Sequence, residues 1–336
     1  MSNWLLVSDT HFTDSPNDEY RWQIFPTLER IAHEHEISEV VHLGDVTDRK
    51  DNHSRILVNK LIENFSHLQS FCQVNVLALA GNHDAPISGP YYWRFLDKLG
   101  IRYIQKPEIY NGVYLLPFCH NPQQEWAGIN VSGCKAVFMH ECVDGVVVGG
   151  GRVLRSDVTL DKVLPGIRIP VFSGDIHKPQ ECGGVFYIGA AHPVKFDEVW
   201  PNRVVVIKDD CFTNPIIIQV HSIRKAILDI HSSLELEQTV YSKNDQIRIR
   251  YHLASDKLTS WMDEQEAIRN WAKKREVTIA SVEAVLIGDG IKQNTSVEAK
   301  QLELMRPEEV VESFASTEKL SHDILQMGKE IIRGIS

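Results

Sequence analysis

Five apolar runs in this chain end in Asp, Asn or His. Residues 4–7 lead to Asp9-Thr10-His11, and residues 40–43 to Gly44-Asp45-Val46-Thr47-Asp48. Residues 74–80 lead to Gly81-Asn82-His83-Asp84, residues 136–139 to His140, and residues 170–172 to Gly174-Asp175-Ile176-His177. A short, continuously apolar run reads as a strand buried on both faces. A chain that leaves such a strand into a carboxylate, an amide or an imidazole delivers polar side chains to one edge of a sheet. Between the first runs, Tyr20, Ile24, Leu28 and Ile31 recur at helical spacing and predict a helix over 19–35. Leu57, Leu61 and Phe65 predict a second helix over 54–71. Strands alternating with helices imply crossovers and a largely parallel sheet, with ligands at the carboxyl ends of its strands.

The rhythm changes from Tyr110. Residues 112–116, 136–139, 170–172, 185–188 and 204–207 predict short strands joined by turns, so this half is richer in β-structure. Gly149-Gly150-Gly151 is followed by no Gly-Lys-Ser/Thr, which removes a phosphate cradle and leaves a flexible turn. Near Ser222 the character shifts again: strands over 226–230, 246–252 and 277–287 and a helix over 256–274 predict a small α+β module. A polar stretch then precedes two helices after Pro307. In the second, Leu320, Ile324, Met327 and Ile331 share one face that must dock on this chain or on a partner. The expected architecture is an α/β two-sheet sandwich flanked by helices, with a small α+β capping domain and a C-terminal helix pair. Its expected segments are 1–220 for the site-bearing domain, 221–288 for the cap, 289–306 for a linker and 307–336 for the helix pair.

Length and composition are consistent with this. The 336 residues, 43% hydrophobic, suffice for one large core and a smaller one. No apolar stretch is long enough for a membrane span, and no basic-then-apolar segment opens the sequence. The six cysteines include no CxxC pair, which predicts a reduced, cytoplasmic protein with free thiols. Cys142 lies two residues from His140 and is a ligand candidate, although a packed free thiol is the commoner role of such a residue. The net charge of −10 argues against coating nucleic acid through a broad basic face. It leaves a nucleic-acid substrate open, because a pair of divalent cations concentrates positive charge locally.

With 15 histidines in the chain, no single one is informative. His11, His83, His140 and His177 differ from the rest in following a strand, mostly beside Asp or Asn. Mixed carboxylate, amide and imidazole donors without thiolate suit Mn(II), Fe(II) or Mg(II) better than structural zinc. Two such ions about 3.5–4 Å apart clamp an in-line displacement at phosphorus.

Taken in order, Asp-x-His, Gly-Asp-x-x-Asp, Gly-Asn-His-Asp, a lone His and Gly-x-x-His resemble the calcineurin-like metallophosphoesterase signature over about residues 1–200. More narrowly, 174–180 (GDIHKPQ), 186–190 (FYIGA) and Phe196-Asp197-Glu198 are similar to segments of the SbcD-type nucleases, including their short phage members. The resemblance implies a metal-dependent DNA exonuclease, and possible endonuclease, of repair or recombination. It further implies two divalent ions, Mn(II) first and Mg(II) second, a homodimer, and an SbcC-like ABC-type ATPase as partner. Asp9, His11, Asp45 and His177 would hold one ion, with Asp45 bridging. Asn82, His140 and Asp175 would hold the second. His83 would act on the scissile phosphate, with Asp48 and Asp84 orienting the site. Arg49, Lys50, His53 and Arg55 would meet the nucleic-acid backbone or form a plain solvated face. Leu320, Ile324, Met327 and Ile331 would meet the ATPase. Asp175 departs from the family pattern, which has His there. Since residues i and i+2 of a strand end share a face, Asp175 is expected to point inward with His177. The competing readings are a stand-alone phosphatase or small-molecule phosphodiesterase, and a non-catalytic scaffold whose tail recruits a partner.

Overall fold

The computed structural model describes residues 1–86, 90–196, 198–254 and 260–287. The linker expected over 289–306 and the helices after Pro307, with Leu320, Ile324, Met327 and Ile331, lie outside the described residues. Met1–Leu286 forms one unit.

The chain begins with β1 (Trp4–Val7), passes through a 3-10 segment (Pro16–Gln23) into α1 (Ile24–Glu34), and returns as β2 (Glu39–His42). Then come α2 (Arg55–Cys72), β3 (Asn75–Leu79), a 3-10 segment (Tyr92–Leu99) and β4 (Arg102–Ile104). The second half supplies β5 (Glu108–Tyr110), β6 (Val113–Leu116), α3 (Pro122–Glu125), β7 (Ala136–Met139), α4 (Leu160–Val163) and β8 (Val171–Ser173). It continues with β9 (Gln180–Cys182), β10 (Val185–Tyr187), β11 (Arg203–Ile207) and β12 (Ile216–Gln219). Last are β13 (Lys225–Ile230), β14 (Gln246–Ala254), α5 (Trp261–Arg275) and β15 (Thr278–Ile287).

These strands build two six-stranded mixed sheets, ordered β12-β11-β1-β2-β3-β4 and β5-β6-β7-β8-β10-β9. Within the first, β1 through β4 are parallel neighbours while β11 and β12 run antiparallel. The apolar runs are continuous because each strand is buried on both faces. Leu5, Val7, Val40, Val76 and Ala78 pack on Leu28, Ile31, Leu61 and Phe65 of the helices. Their alternate neighbours Trp4, Leu6, Val41, Leu77 and Leu79 face Val113, Leu115, Phe138 and Phe172 of the second sheet. Trp4 seals that interface edge-on against Phe138, with ring centroids 5.7 Å apart. The expected α/β two-sheet sandwich is therefore the observed fold. A third sheet, β13-β14-β15, packs on α5 around Ile247, Ile249, Tyr251, Ile268 and Trp271.

The helix expected over 19–35 begins at Ile24; before it the chain is 3-10. Asp18 and Arg21 pair there at 2.9 Å, and the Arg21 guanidinium turns inward to donate to the His11 carbonyl. A helix read only from its apolar stripe could not show that tether. Strands β4, β5, β9 and β12 were absent from the sequence reading. They are strands of three or four residues at sheet edges; β4, β5 and β9 carry no continuous apolar run, whereas β12 is a largely exposed Ile216-Ile217-Ile218 run that the sequence reading passed over. Among the described residues, no helix is long and apolar enough to cross a membrane.

Candidate metal centre

Every polar side chain of the centre enters from a loop at the carboxyl end of a strand. Asp9 and His11 follow β1, Asp45 and Asp48 follow β2, and Asn82, His83 and Asp84 follow β3. His140 follows β7, and Asp175 and His177 follow β8. Asp9, His11, Asp45 and Asp175 have positive φ, at 53°, 42°, 57° and 72°. The left-handed conformation costs a non-glycine residue of order 1–3 kcal/mol, and here it reverses the chain so that each side chain turns into the centre. Asp175 thus points inward because of its turn: β8 has already ended at Ser173, so strand alternation is not the cause.

Close packing of the loops requires glycine. A Cβ on Gly81 would sit 2.2 Å from both the amide nitrogen and Oδ1 of Asp45. One on Gly44 would sit 2.2 Å from His140 Nδ1. Asp84, fully buried, ties the β2 and β3 loops together. Its carboxylate accepts from the Val46, Thr47 and Gly81 amides at 3.1, 3.3 and 3.0 Å.

Three groups of donor atoms converge, each with its atoms within 4.8 Å of one another: Asp9, His11 and His177; His11, Asp45 and His83; Asp9, Asp45 and His140. Asp45 stands between two imidazoles, its Oδ2 3.5 Å from His11 Nε2 and its Oδ1 3.4 Å from His140 Nε2. The Nε2 atoms of His11 and His177 approach to 3.1 Å. Asp175 Oδ1 lies 3.8 Å from His140 Nε2. Hydrogen bonds on the far side of the rings set the tautomers. His140 Nδ1 donates to the Leu43 carbonyl at 2.6 Å and His177 Nδ1 to Glu198, so both Nε2 atoms face the centre. Asp9 Oδ2, His11 Nδ1, Asn82 Oδ1 and His140 Nε2 are buried polar atoms with no hydrogen-bond partner. Orphaned donors and acceptors at this density are costly, and coordination of divalent cations satisfies the acceptor atoms among them. This set fits such ions.

The electrostatics agree. Burial, opposed by His177 and His140, pushes the Asp9 carboxyl up to about 6. Burial pulls His11 down to about 4 against the pull of Asp48 and Asp45. Burial alone would raise Asp45 and lower His140, but their mutual attraction wins, holding Asp45 below the carboxylate range and His140 well above the imidazole range. Carboxylates packed this tightly need cationic charge from some source.

The calcineurin-like phosphoesterase family profile matches residues 3–179, the stretch that contains all these ligands. The chain belongs to the calcineurin-like phosphoesterases. A crystal structure of Pseudomonas putida nuclease MPE is similar at 17% identity and a TM-score of 0.30, over 52% of this chain and 61% of that one. No curated protein sequence matches the chain.

The remaining candidate residues of this phosphoesterase divide by placement. His83 sits beside His11, ring centroids 4.7 Å apart, and its Nδ1 donates to the Asp48 carbonyl at 2.7 Å. Asp48 Oδ1 lies 3.4 Å from His11 Nδ1. Arg49 and Arg55 are exposed and Lys50 is partly so. His53 packs on Tyr92 and Trp93, with Nε2 on the Lys50 carbonyl at 3.1 Å. Cys142 turns its thiol to the Val143 carbonyl at 3.6 Å, and burial with Asp175 nearby pushes that thiol up to about 12.

Sequence reasoning assigned no role to several residues that shape the centre. Glu198 holds His177 and also accepts from the Val194 and Lys195 amides at 2.6 and 3.0 Å. Its only sequence signal was membership of the Phe196-Asp197-Glu198 segment. Buried His42 bonds the Thr10 hydroxyl at 2.9 Å, and buried His192 donates to the Thr10 carbonyl at 2.6 Å, bracing the loop between Asp9 and His11. Glu141 is buried beside His140, and burial with Asp175 nearby raises its carboxyl to about 7. No local pattern distinguishes these residues from surface polar ones.

Proposed function

We propose that the chain is a dimetal DNA phosphodiesterase of the SbcD type, acting first as an exonuclease in repair or recombination, with endonuclease action left to the assay below. The observation that carries the phosphodiesterase part is Asp45, whose two oxygens face imidazoles of two different donor groups, as a carboxylate bridging two ions requires. Asp9, His11, Asp45 and His177 would hold one ion, and Asn82, His140 and Asp175 the second, with Asp45 shared. Divalent cations held there supply Lewis acidity toward the phosphoryl oxygens and acidify water. The chain's own contribution is orientation and proton handling. Glu198 and the Leu43 carbonyl fix the rings of His177 and His140. The Asp48 carbonyl takes His83 Nδ1–H, leaving His83 Nε2 as the position that exchanges a proton with the leaving oxygen or stabilises charge on the phosphate. Asp175 makes the second site oxygen-rich and favours Mn(II) or Mg(II).

DNA as substrate rests on the resemblance of residues 174–198 to the SbcD-type segments. An SbcC-like ATPase partner rests on that resemblance and on the stripe Leu320, Ile324, Met327 and Ile331. The test is hydrolysis of linear duplex, single strands, bis-nitrophenyl phosphate and nitrophenyl phosphate with added Mn(II). Cleavage of DNA and the diester is expected, and His83→Ala should keep both ions while losing about 10²–10⁴ in rate. Turnover of the monoester alone would make the chain a phosphatase, and loss of an ion in His83→Ala would make that residue a ligand.

A further inference from the structure

A groove of about 260 Å³ opens directly off the centre, its inner wall formed by Asp175 and His177. Its outer wall carries Arg152, Lys178, Lys195 and Trp200. Among the described residues, none of the three cations pairs with a carboxylate, and Trp200 Nε1 has no acceptor. In a chain of net charge −10, three cations without a paired carboxylate, in a groove that Asp175 and Glu198 also line, are a local exception to the overall balance.

The walls are braced from within. Residues 145–154 form a hairpin closed by the Val147–Val153 bridge and by the Val148 amide on the Arg152 carbonyl at 2.9 Å. Gln180 clamps that hairpin through both the amide and the carbonyl of Val147, at 2.9 and 2.7 Å. This is the segment of Gly149-Gly150-Gly151, and its tip presents Arg152 to the groove. Lys178 follows His177 directly. Lys195 is held by the Glu198 carboxylate through its own amide, so the loop that carries it is fixed by the residue that orients His177.

An indole, three cations and a direct opening onto the centre match the chemistry of a nucleotide unit. The cations suit its phosphate, and the indole suits the base, since every base has a face to stack. The volume, just below that of pockets for drug-sized ligands at roughly 300–1,000 Å³, is on the scale of one nucleotide, and a base that stacks on an indole must first have left its own duplex stack. We infer that this groove is a subsite for the nucleotide flanking the scissile phosphate of a single strand, with Trp200 stacking the base and Arg152, Lys178 and Lys195 contacting the phosphate. The inference rests on the phosphodiesterase reading above and adds the strandedness of its substrate. A duplex would be engaged through a frayed end.

The test compares oligothymidylate with bis-nitrophenyl phosphate, which has no nucleotide to fill the groove, and measures anisotropy of a labelled phosphorothioate oligothymidylate. Trp200→Ala should lower the ratio of the two kcat/KM values about tenfold, and Trp200→Phe should restore most of it. The double variant Arg152→Ala/Lys195→Ala should flatten the salt dependence of oligonucleotide binding by up to about 0.7 in the log–log slope, the release expected for one phosphate. Parallel losses on both substrates, or a wild-type ratio and slope in every variant, would overturn the subsite while leaving the nuclease reading intact. Should the wild-type chain hydrolyse only the small diester yet bind oligothymidylate through Trp200, the subsite stands and the nuclease reading fails.

Discussion

Each imidazole of the centre is useful only because something behind it fixes its tautomer. Glu198 does this for His177 with a charged acceptor, the strongest such partner in the site. Glu198→Gln keeps the size but removes the charge. It should weaken divalent-ion binding by about 10–100-fold, read by titrating Mn(II) against activity and by calorimetry. Unchanged affinity would assign Glu198 to loop structure alone. His192 is a buried histidine of the opposite kind. Burial and the Arg21 guanidinium hold its pKa well below 6.5. A lowered imidazole pKa means that its contribution to stability is present above pH 6.5 and is lost as pH falls, because the unfolded chain takes up a proton the folded one refuses. Wild type should therefore lose its stability advantage over His192→Asn by about 1.4 kcal/mol per pH unit below 6.5. Urea midpoints at pH 8 and pH 5.5 check this. A gap independent of pH would refute it.

At the scale of elements, the third sheet is tied to the centre through Lys225. Lys225 opens β13 and is buried, its ammonium 3.4 Å from Asp18 Oδ1 and 3.1 Å from the Val194 carbonyl. Asp18 pairs with Arg21, which holds the His11 carbonyl, and the Val194 loop is gripped by Glu198, which holds His177. One side chain thus supports both imidazoles of the first donor group. Lys225→Met should raise the Mn(II) concentration for half-maximal activity about fivefold, below the roughly 10–100-fold of a direct ligand partner. Lys225→Arg should recover part of the loss. A variant that merely melts earlier, with its Mn(II) titration unchanged, would show that Lys225 only packs. The short edge strands belong to this scale too. Three of them, β4, β5 and β9, were invisible in the sequence because an edge needs few apolar residues, whereas central β1, β2 and β7 announced themselves by burial on both faces.

Across the whole molecule, the centre is where the two sheets meet at one end, so ions held there would join the halves. Ions that bind only the folded state stabilise it by mass action. Mn(II) at about 100 times its Kd adds about 2.7 kcal/mol per site, about 5.4 for two, which for a chain of this size is a rise in Tm of roughly 8 °C. Asp45→Ala, lacking the residue that faces both imidazoles, should show almost none of that rise in a calorimetric scan. An equal rise in the variant would count against the shared carboxylate. The sequence alone was enough for the strands with two buried faces, the α/β class and the residues that follow each strand, because burial and strand ends leave a local signature. It also marked the order Asp-x-His, Gly-Asp-x-x-Asp, Gly-Asn-His-Asp and Gly-x-x-His, since Gly at these turns is demanded by loops packed within van der Waals contact. What only the tertiary structure decided is which of these residues meet, and what stands behind them. His11 and His177 are 166 positions apart yet in contact, and Lys225 lies 207 positions from Asp18. No local pattern encodes such pairs, because they arise from sheet pairing and from turns with positive φ. The supporting roles of Glu198, His192 and Lys225, and the groove under Trp200, exist only after the chain has closed.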